Sequence, residues 1–193
     1  MPCTNFLLNI TNRVLLHHMS AANNFSRYAI VSLGSNLPFS EQSPVEILAS
    51  AFNALQQLSD ELLLVSSLYT TSPIDSPEGT PDFYNAVAAV MPDPEESAHS
   101  MLAKLQSIEN NTGRQRNGIK NEARTLDLDL ITFGDEIINT DDLILPHPRA
   151  HERCFVLEPM AELVGEAFVI PGQDKTIRQY LDEILGSQEI RRH

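Results

Sequence analysis

The stretch Thr125–Phe133, with the sequence TLDLDLITF, is the segment that decides the fold of this chain. Apolar and acidic residues alternate along its first half, and this alternation predicts a strand with one face towards a hydrophobic core. The leucines at every second position would face that core, while Asp127 and Asp129 would project together from the opposite face. Because two neighbouring carboxylates repel each other, the pair indicates a bound cation; two solvated acids on an exposed strand face are the alternative.

The predicted elements before this strand follow a simple order. They are a strand at Arg27–Leu33, a helix opened by Ser43, Pro44 and Glu46, strands at Leu62–Tyr69 and Phe83–Met91, and a second helix opened by the sequence DPEE at residues 93–96 and stopped by Gly113. Strand, helix, strand, strand, helix, strand is the order of the ferredoxin-like βαββαβ fold. This is an α+β architecture in which one antiparallel sheet carries helices on one face.

Two further features complete the predicted domain. Short apolar runs at residues 137–138 and 143–145 predict an appended hairpin, and residues 152–163 and 176–185 predict C-terminal helices. A length of 193 residues suits one domain, which we assign to residues 27–193. Residues 1–26 are expected to be a poorly ordered extension, with Met19 as an alternative start.

Composition excludes several classes of function. The net charge of −13 argues against binding to nucleic acid or to acidic membranes. No run reaches the roughly 18 apolar residues of a membrane span. Cys3 and Cys154 are too few and too dissimilar in context for a disulfide framework, so a cytoplasmic location is predicted.

Basic residues are concentrated just before the acidic strand. Arg114, Arg116, Lys120 and Arg124 are four of the 13 basic residues, and they fall within eleven positions. In an acidic protein such a cluster indicates a specific anion, although a solvated charged loop is the alternative. Arginines beside paired carboxylates are typical of phosphoryl transfer, in which metal ions and guanidinium groups share one phosphate chain.

A second polar cluster, LPHPRAHERCF at residues 145–155, contains His147, His151 and Arg153. Alone it is compatible with a binding site or with an ordinary polar helix start.

Three stretches together carry a family resemblance. YAIVSLGSNL at residues 28–37, RTLDLD at residues 124–129, and the segment from Leu145 through Arg153 resemble the signatures of the 6-hydroxymethyl-7,8-dihydropterin pyrophosphokinase family of folate biosynthesis. The match runs from about Arg27 to Leu163 in the right order. It implies a pyrophosphoryl transfer from ATP to the pterin alcohol that releases AMP and uses two Mg²⁺ ions.

The resemblance also implies a role for individual residues. Asp127 and Asp129 would bind the metal ions, and with Arg114 and Arg124 they would be the catalytic residues. The positions that handle ATP would be Gln106, Glu109, Arg114, Arg116, Lys120, Arg124, Leu130, His147 and Arg153. The pterin-binding positions would be Thr71, Pro73, Ile74, Phe83, Asn85, Asp127 and Phe155, with the two phenylalanines stacking on the ring. Glu109 as a solvated acid, and both phenylalanines as plain core residues, are the alternatives.

One departure from the family pattern lies in the basic loop. Many members carry Trp-Gly-Pro where this chain has Asn121-Glu122-Ala123, in a loop that closes over ATP in the family. The difference leaves two other hypotheses open: a diverged paralogue acting on a related pterin alcohol, and a protein that binds pterin or nucleotide with little catalysis.

Overall fold

The computed structural model describes residues 25–73, 79–113, 123–184 and 186–193. The strands are β1 (Ala29–Ser35), β2 (Leu64–Val65), β3 (Tyr69–Thr71), β4 (Phe83–Val90), β5 (Asp127–Phe133), β6 (Ile138–Asn139), β7 (Ile144–Leu145) and β8 (Ile190–Arg192). The helices are α1 (Pro44–Gln56), α2 (Ala98–Asn111), α3 (Cys154–Val164) and α4 (Ile177–Ile184).

The main sheet is antiparallel and has the order β5-β1-β4-β3-β8, with β2 also paired to β4. β4 lies between β1 and β3, so the two β-α-β halves are interleaved as a split β-α-β fold requires. β6 and β7 form the predicted hairpin. The predicted α+β fold with an antiparallel sheet is confirmed.

Helices cover both faces of this sheet. Val31 and Leu33 of β1 belong to a buried core that includes residues of α1 and α2. Ile30, directly before Val31 on the strand, belongs to a second core with residues of α3 and α4. Successive side chains of a strand point to opposite faces, so the two cores lie on opposite sides of the sheet. The C-terminal helices, for which the sequence suggested no face, therefore form a third layer.

The two predicted helix starts have different outcomes. At α1 the Ser43 cap is confirmed: the Glu46 N–H donates to Ser43 Oγ at 3.4 Å, and the Ser43 N–H donates to Glu46 Oε2 at 2.9 Å. The predicted start of α2 at residues 93–96 is wrong, because α2 is capped by Ser97. Asp93 Oδ1 instead accepts the Glu95 N–H at 2.8 Å, which satisfies that N–H in a turn outside the helix.

Two strand predictions are corrected. Leu62–Tyr69 is not one strand, because β2 and β3 are separated by a segment in which Ser66 Oγ accepts the Val87 N–H at 3.0 Å. β8 was not predicted at all. Its few residues carry no alternating pattern, and its position depends on long-range contacts such as that of Arg192 Nη2 with Glu162 Oε1 at 2.9 Å.

Packing extends into the segment that was expected to be disordered. Phe25, at the start of the 3-10 turn Phe25–Arg27, is 8% exposed, and its ring lies 5.4 Å from that of Tyr28 and 6.4 Å from that of Phe168. Residues 1–24 of the predicted extension lie outside the described residues. In the described ranges no helix combines the length and apolar character needed to cross a membrane. The cytoplasmic location stays a prediction.

Candidate active site

A row of three residues crosses the sheet at the end where β1 finishes and where β4 and β5 begin. Gly34 of β1 is paired with Asn85 of β4 on one side and with Asp127 of β5 on the other. Directly paired residues have their side chains on the same face, here the face covered by α3. A Cβ at Gly34 would lie 3.2 Å from Asn85 Oδ1, so the glycine leaves room for the asparagine amide.

The acidic pair lies as the alternation predicted. Leu128 and Leu130 are each 4% exposed and belong to the core under α1 and α2. Asp127 and Asp129 are half-buried and project from the other face. By the rise of a strand, their attachment points are about 7 Å apart.

Each aspartate is paired with an arginine. Arg124 Nη1 donates to Asp127 Oδ2 at 2.5 Å, and Arg153 Nη1 donates to Asp129 Oδ2 at 3.2 Å. The arginines come from opposite sides of β5 in sequence, one directly before it and one from the start of α3. Of the predicted basic loop, Arg114, Arg116 and Lys120 lie outside the described residues.

His147 lies close to the acids and shares their buried surroundings. Its backbone N–H donates to the carbonyl of Ile131 at 2.9 Å, which holds the segment after β7 against β5. Burial raises the pKa of Asp129, as does the charge of Asp127, while His147 and the two arginines oppose that rise. Burial also lowers the pKa of His147, and the charges of Arg153 and Arg149 act in the same direction, while Asp129 and Asp127 oppose the shift.

The turn after β1 holds the backbone of Arg124 in place. Asn36 Oδ1 accepts the Arg124 N–H at 2.8 Å, and the Arg124 carbonyl accepts the N–H groups of Asn36 and Leu37 at 3.1 and 3.2 Å. Ser35 Oγ adds a bond to the carbonyl of Thr125 at 2.6 Å. Sequence reasoning missed this role of Asn36, although the residue lies within the stretch that carries the resemblance.

Glu109 is buried, so its alternative interpretation as a solvated acid is wrong. The residue is 2% exposed, and its Oε1 accepts the Leu128 N–H at 2.8 Å. Among the described residues, β5 is the last strand at one end of the sheet order, and one side of its backbone has no strand partner there. Glu109 therefore holds β5 at the residue between the two aspartates. Gln106, one turn earlier on α2, is exposed.

The predicted pterin-binding residues are partly brought together. Asn85 is 3% exposed and Thr71 6% exposed, and Asn85 Nδ2 donates to Thr71 Oγ1 at 2.9 Å. Phe83 and Phe155 are half-buried rather than full members of either core, and the guanidinium carbon of Arg153 lies 5.5 Å from the Phe155 ring centroid. Pro73 is half-buried, and Ile74 lies outside the described residues.

The donor set is small. Across the described parts of the chain, no three or more His, Cys, Asp and Glu side chains form a metal-binding group. Two carboxylates are nevertheless the set by which proteins commonly hold Mg²⁺, with substrate phosphates completing the coordination.

An acidic pair bound by arginines, on an antiparallel sheet and without a glycine-rich phosphate loop, defines the class: a phosphotransferase that is not a P-loop enzyme. The family model described as 7,8-dihydro-6-hydroxymethylpterin-pyrophosphokinase (HPPK) matches residues 30–165, more than half of the chain. The chain belongs to this family, so the predicted resemblance and the predicted pyrophosphokinase class are confirmed.

Individual relatives agree with this assignment. The chain is 39% identical over 158 residues to the 2-amino-4-hydroxy-6-hydroxymethyldihydropteridine pyrophosphokinase of Haemophilus influenzae, covering 80% of this chain and 93% of that one. It is 38% identical over 158 residues to the Pseudomonas aeruginosa protein of the same name, covering 81% of this chain and 89% of that one.

A solved structure supports the fold. Wild-type HPPK-DHPS of Plasmodium falciparum, crystallised with pteroate, superposes with a TM-score of 0.60 at 16% identity and covers 82% of this chain. This chain spans 44% of that longer one.

Proposed function

We propose that this chain transfers the pyrophosphoryl group of ATP to the hydroxymethyl oxygen of 6-hydroxymethyl-7,8-dihydropterin, giving the pterin diphosphate and AMP in folate biosynthesis. The observation that carries the proposal is the row Asn85, Gly34 and Asp127. By the spacing of neighbouring strands, this row puts an amide suited to a pterin and an acid suited to a metal about 10 Å apart on one face.

Asp127 and Asp129 are the residues that would hold Mg²⁺, with two ions expected by the resemblance. Their carboxylates share one face, and a hard cation prefers oxygen ligands of this kind. When bound, the metal ions neutralise charge on the β- and γ-phosphates of ATP. Glu109 supports the pair, because its bond to the Leu128 N–H holds the backbone between the two acids.

Arg124, Arg153 and His147 are proposed to bind phosphate oxygens. Each guanidinium carries five N–H groups, so a bond to an aspartate is compatible with donation to a phosphate as well. Arg114, Arg116 and Lys120 are proposed to complete the phosphate site, and Gln106 and the backbone at Leu130 are proposed as further ATP-binding positions. The cationic groups stabilise the charge that spreads over the transferring group.

The pterin side rests on polar recognition and on stacking. The Asn85 amide offers a donor and an acceptor, and its bond to Thr71 limits its rotation. A pterin presents an amide-like edge of complementary pattern. Phe83 and Phe155 keep part of their rings exposed, which suits stacking on a flat heteroaromatic ring. Pro73 and Ile74 are proposed to line the same pocket.

The reaction itself needs positioning more than covalent help. The pterin hydroxyl oxygen forms a bond to the β-phosphorus as the bond from that phosphorus to the oxygen bridging to the α-phosphate breaks. The hydroxyl proton passes to a base, which is one of the two aspartates or a water molecule, and AMP leaves with the bridging oxygen. Holding the two substrates in line is therefore the main contribution of the protein.

One assay tests the proposal. The protein is incubated with ATP, Mg²⁺ and 6-hydroxymethyl-7,8-dihydropterin, and the nucleotides are separated by chromatography. AMP formed in equal amount to the pterin consumed is the expected result. Formation of ADP, or hydrolysis of ATP that does not depend on pterin, would contradict it.

The altered loop at Asn121-Glu122-Ala123 favours one second candidate, a paralogue specific for a related pterin alcohol with a longer side chain. Running the same assay with both alcohols in competition separates the two, because the preferred substrate is consumed first. Pterin binding in a calorimeter without any AMP formation would instead support a binding protein.

A further inference from the structure

Helix α3 begins without a capping side chain of its own. Its N-cap residue is Arg153, whose side chain makes no capping hydrogen bond, and a guanidinium has no acceptor to offer. The first N–H groups of a helix have no partner within the helix. Here the first of them, that of Cys154, donates to Gln188 Oε1 at 3.0 Å. The cap is thus supplied from 34 residues further along the chain.

The same glutamine amide makes a second bond on the other side of Arg153. Gln188 Nε2 donates to the carbonyl of Glu152 at 2.8 Å. The Glu152 carbonyl and the Cys154 N–H belong to the two peptide planes that meet at the Arg153 Cα. A single side chain therefore restrains both backbone torsions of Arg153, which stand at φ −121° and ψ 110°. The orientation of the amide is defined, because a carbonyl only accepts and an N–H only donates.

Arg153 is the residue whose position matters for the site. Its Nη1 donates to Asp129 Oδ2 at 3.2 Å, and its guanidinium carbon lies 5.5 Å from the ring centroid of Phe155, two residues on. A shift of the backbone at Arg153 would move both the phosphate-binding guanidinium and the pterin-stacking ring.

We propose that Gln188 is a positioning residue for the pyrophosphoryl transfer, which acts by clamping the backbone on both sides of Arg153. This inference rests on the proposed function. Gln188 lies beyond residues 30–165, the part of the chain that the family model matches. The segment that carries it is anchored two residues later, where Ile190 of β8 pairs with Thr71 of β3.

The test replaces Gln188 by methionine, which keeps the length of the side chain and removes both hydrogen bonds. Gln179→Met is the matched control. Gln179 Oε1 accepts the Thr176 N–H at 2.9 Å at the start of α4, so the control also removes a helix-capping bond from the C-terminal segment. We expect Gln188→Met to lower kcat/KM for ATP by about tenfold, since small displacements of positioned groups are costly. Gln179→Met should stay within about twofold of the wild type.

A second background shows whether the effect passes through Arg153. In Arg153→Ala protein, with pterin saturating so that the position of Phe155 has little effect, Gln188→Met should change kcat/KM for ATP by less than about twofold, because residues that act through one another are not additive. A full tenfold loss in that background would overturn the proposal, as would equal activities of Gln188→Met and Gln179→Met. If Gln188→Met does not fold, Gln188→Glu takes its place, because its carboxylate still accepts the Cys154 N–H.

The assay of the wild-type protein separates a wrong role for Gln188 from a wrong function of the chain. Wild-type protein that forms AMP upholds the function whatever the Gln188 variants do. Wild-type protein that forms no AMP overturns both.

Discussion

Asn85 and Asp127 stand directly opposite the same residue, Gly34, on the two strands that flank β1. The amide proposed to bind the pterin and the acid proposed to bind metal thus lie on either side of a single β1 residue. The distance between the two halves of the site is set by the spacing of strands, which varies little between proteins.

Gly34→Ala is expected to disturb the pterin half alone. The added Cβ would lie 3.2 Å from Asn85 Oδ1, so the amide must move by a few tenths of an ångström. We expect pterin affinity to fall by about tenfold while Mg²⁺-dependent ATP binding is nearly unchanged, as measured by calorimetry. In Asn85→Ala protein the same change should cost little more; a full loss there would show that the Cβ acts elsewhere.

Asp127→Ala and Asp129→Ala are each expected to abolish turnover, a loss of at least about a thousandfold, since both acids are proposed metal ligands. ATP binding that depends on Mg²⁺ should weaken greatly, while the circular dichroism spectrum stays that of the wild type. Asp135→Ala, at an exposed acid just past β5, is the control and should retain full activity. Normal rates in either site variant would remove the two-metal model.

Phe83→Ala should weaken pterin binding by about tenfold, because an aromatic face for stacking is lost. ATP binding should be unaffected, and calorimetry with each ligand measures both. Phe83→Tyr keeps the ring and should bind pterin normally. Equal losses for the two ligands would show a general disturbance of the fold.

Gly113→Ala is expected to destabilise the protein at the end of α2. Gly113 has φ +74°, and a Cβ there would overlap the Phe39 ring. We expect the free energy of unfolding to fall by about 1–3 kcal/mol, from overpacking together with the left-handed backbone. Urea unfolding compares the variant with the wild type, and equal stabilities of the two proteins would contradict the close approach of the Phe39 ring to Gly113.

Stability at alkaline pH should depend on Tyr69. Burial raises the pKa of this phenol, and so does Glu162, whose Oε2 accepts the Tyr69 hydroxyl at 3.0 Å. The unfolded chain releases the phenol proton near pH 10, whereas the folded protein retains it. The stabilisation is therefore fully present below about pH 10 and is lost as the pH rises above it.

As the pH rises from about 8 to about 11, the free energy of unfolding of Tyr69→Phe should fall less than that of the wild type. Urea unfolding at each pH measures both. The variant is expected to be the less stable of the two at the lower pH, since a buried hydrogen bond is removed. An identical loss of stability in both proteins would contradict the role of Tyr69.

The parts of the site that the sequence predicted are those with a local pattern. The alternation around Asp127 and Asp129 defines two faces without any knowledge of distant residues, and the structure has those faces. The cap at Ser43 is equally local, since both partners lie within one turn. Ser97 was missed in favour of Asp93 because both segments offer a capping residue, and only packing against the sheet selects between them.

The parts that the sequence could not predict depend on long-range partners. Glu109 looks like any acid near a helix end, and its burial is explained by its bond to the N–H of Leu128 on the distant strand β5. The same holds for Gln188 and β8. Gln188 bonds to residues at least 34 positions away, and β8 forms only where β3 is available as its partner. No periodicity in the sequence marks such contacts.

The position of β8 also bears on whether the edge of the sheet can pair with another molecule. A strand at the end of a sheet exposes unpaired backbone groups that can recruit a strand from another molecule. β3 contributes Thr71 to the site and would present such groups, but β8 lies alongside it and covers them. β8 is only three residues long and carries the exposed Arg191 and Arg192, and short charged edge strands discourage further pairing. We therefore expect β8 to limit strand pairing between molecules at the edge next to the proposed pterin-binding residue Thr71.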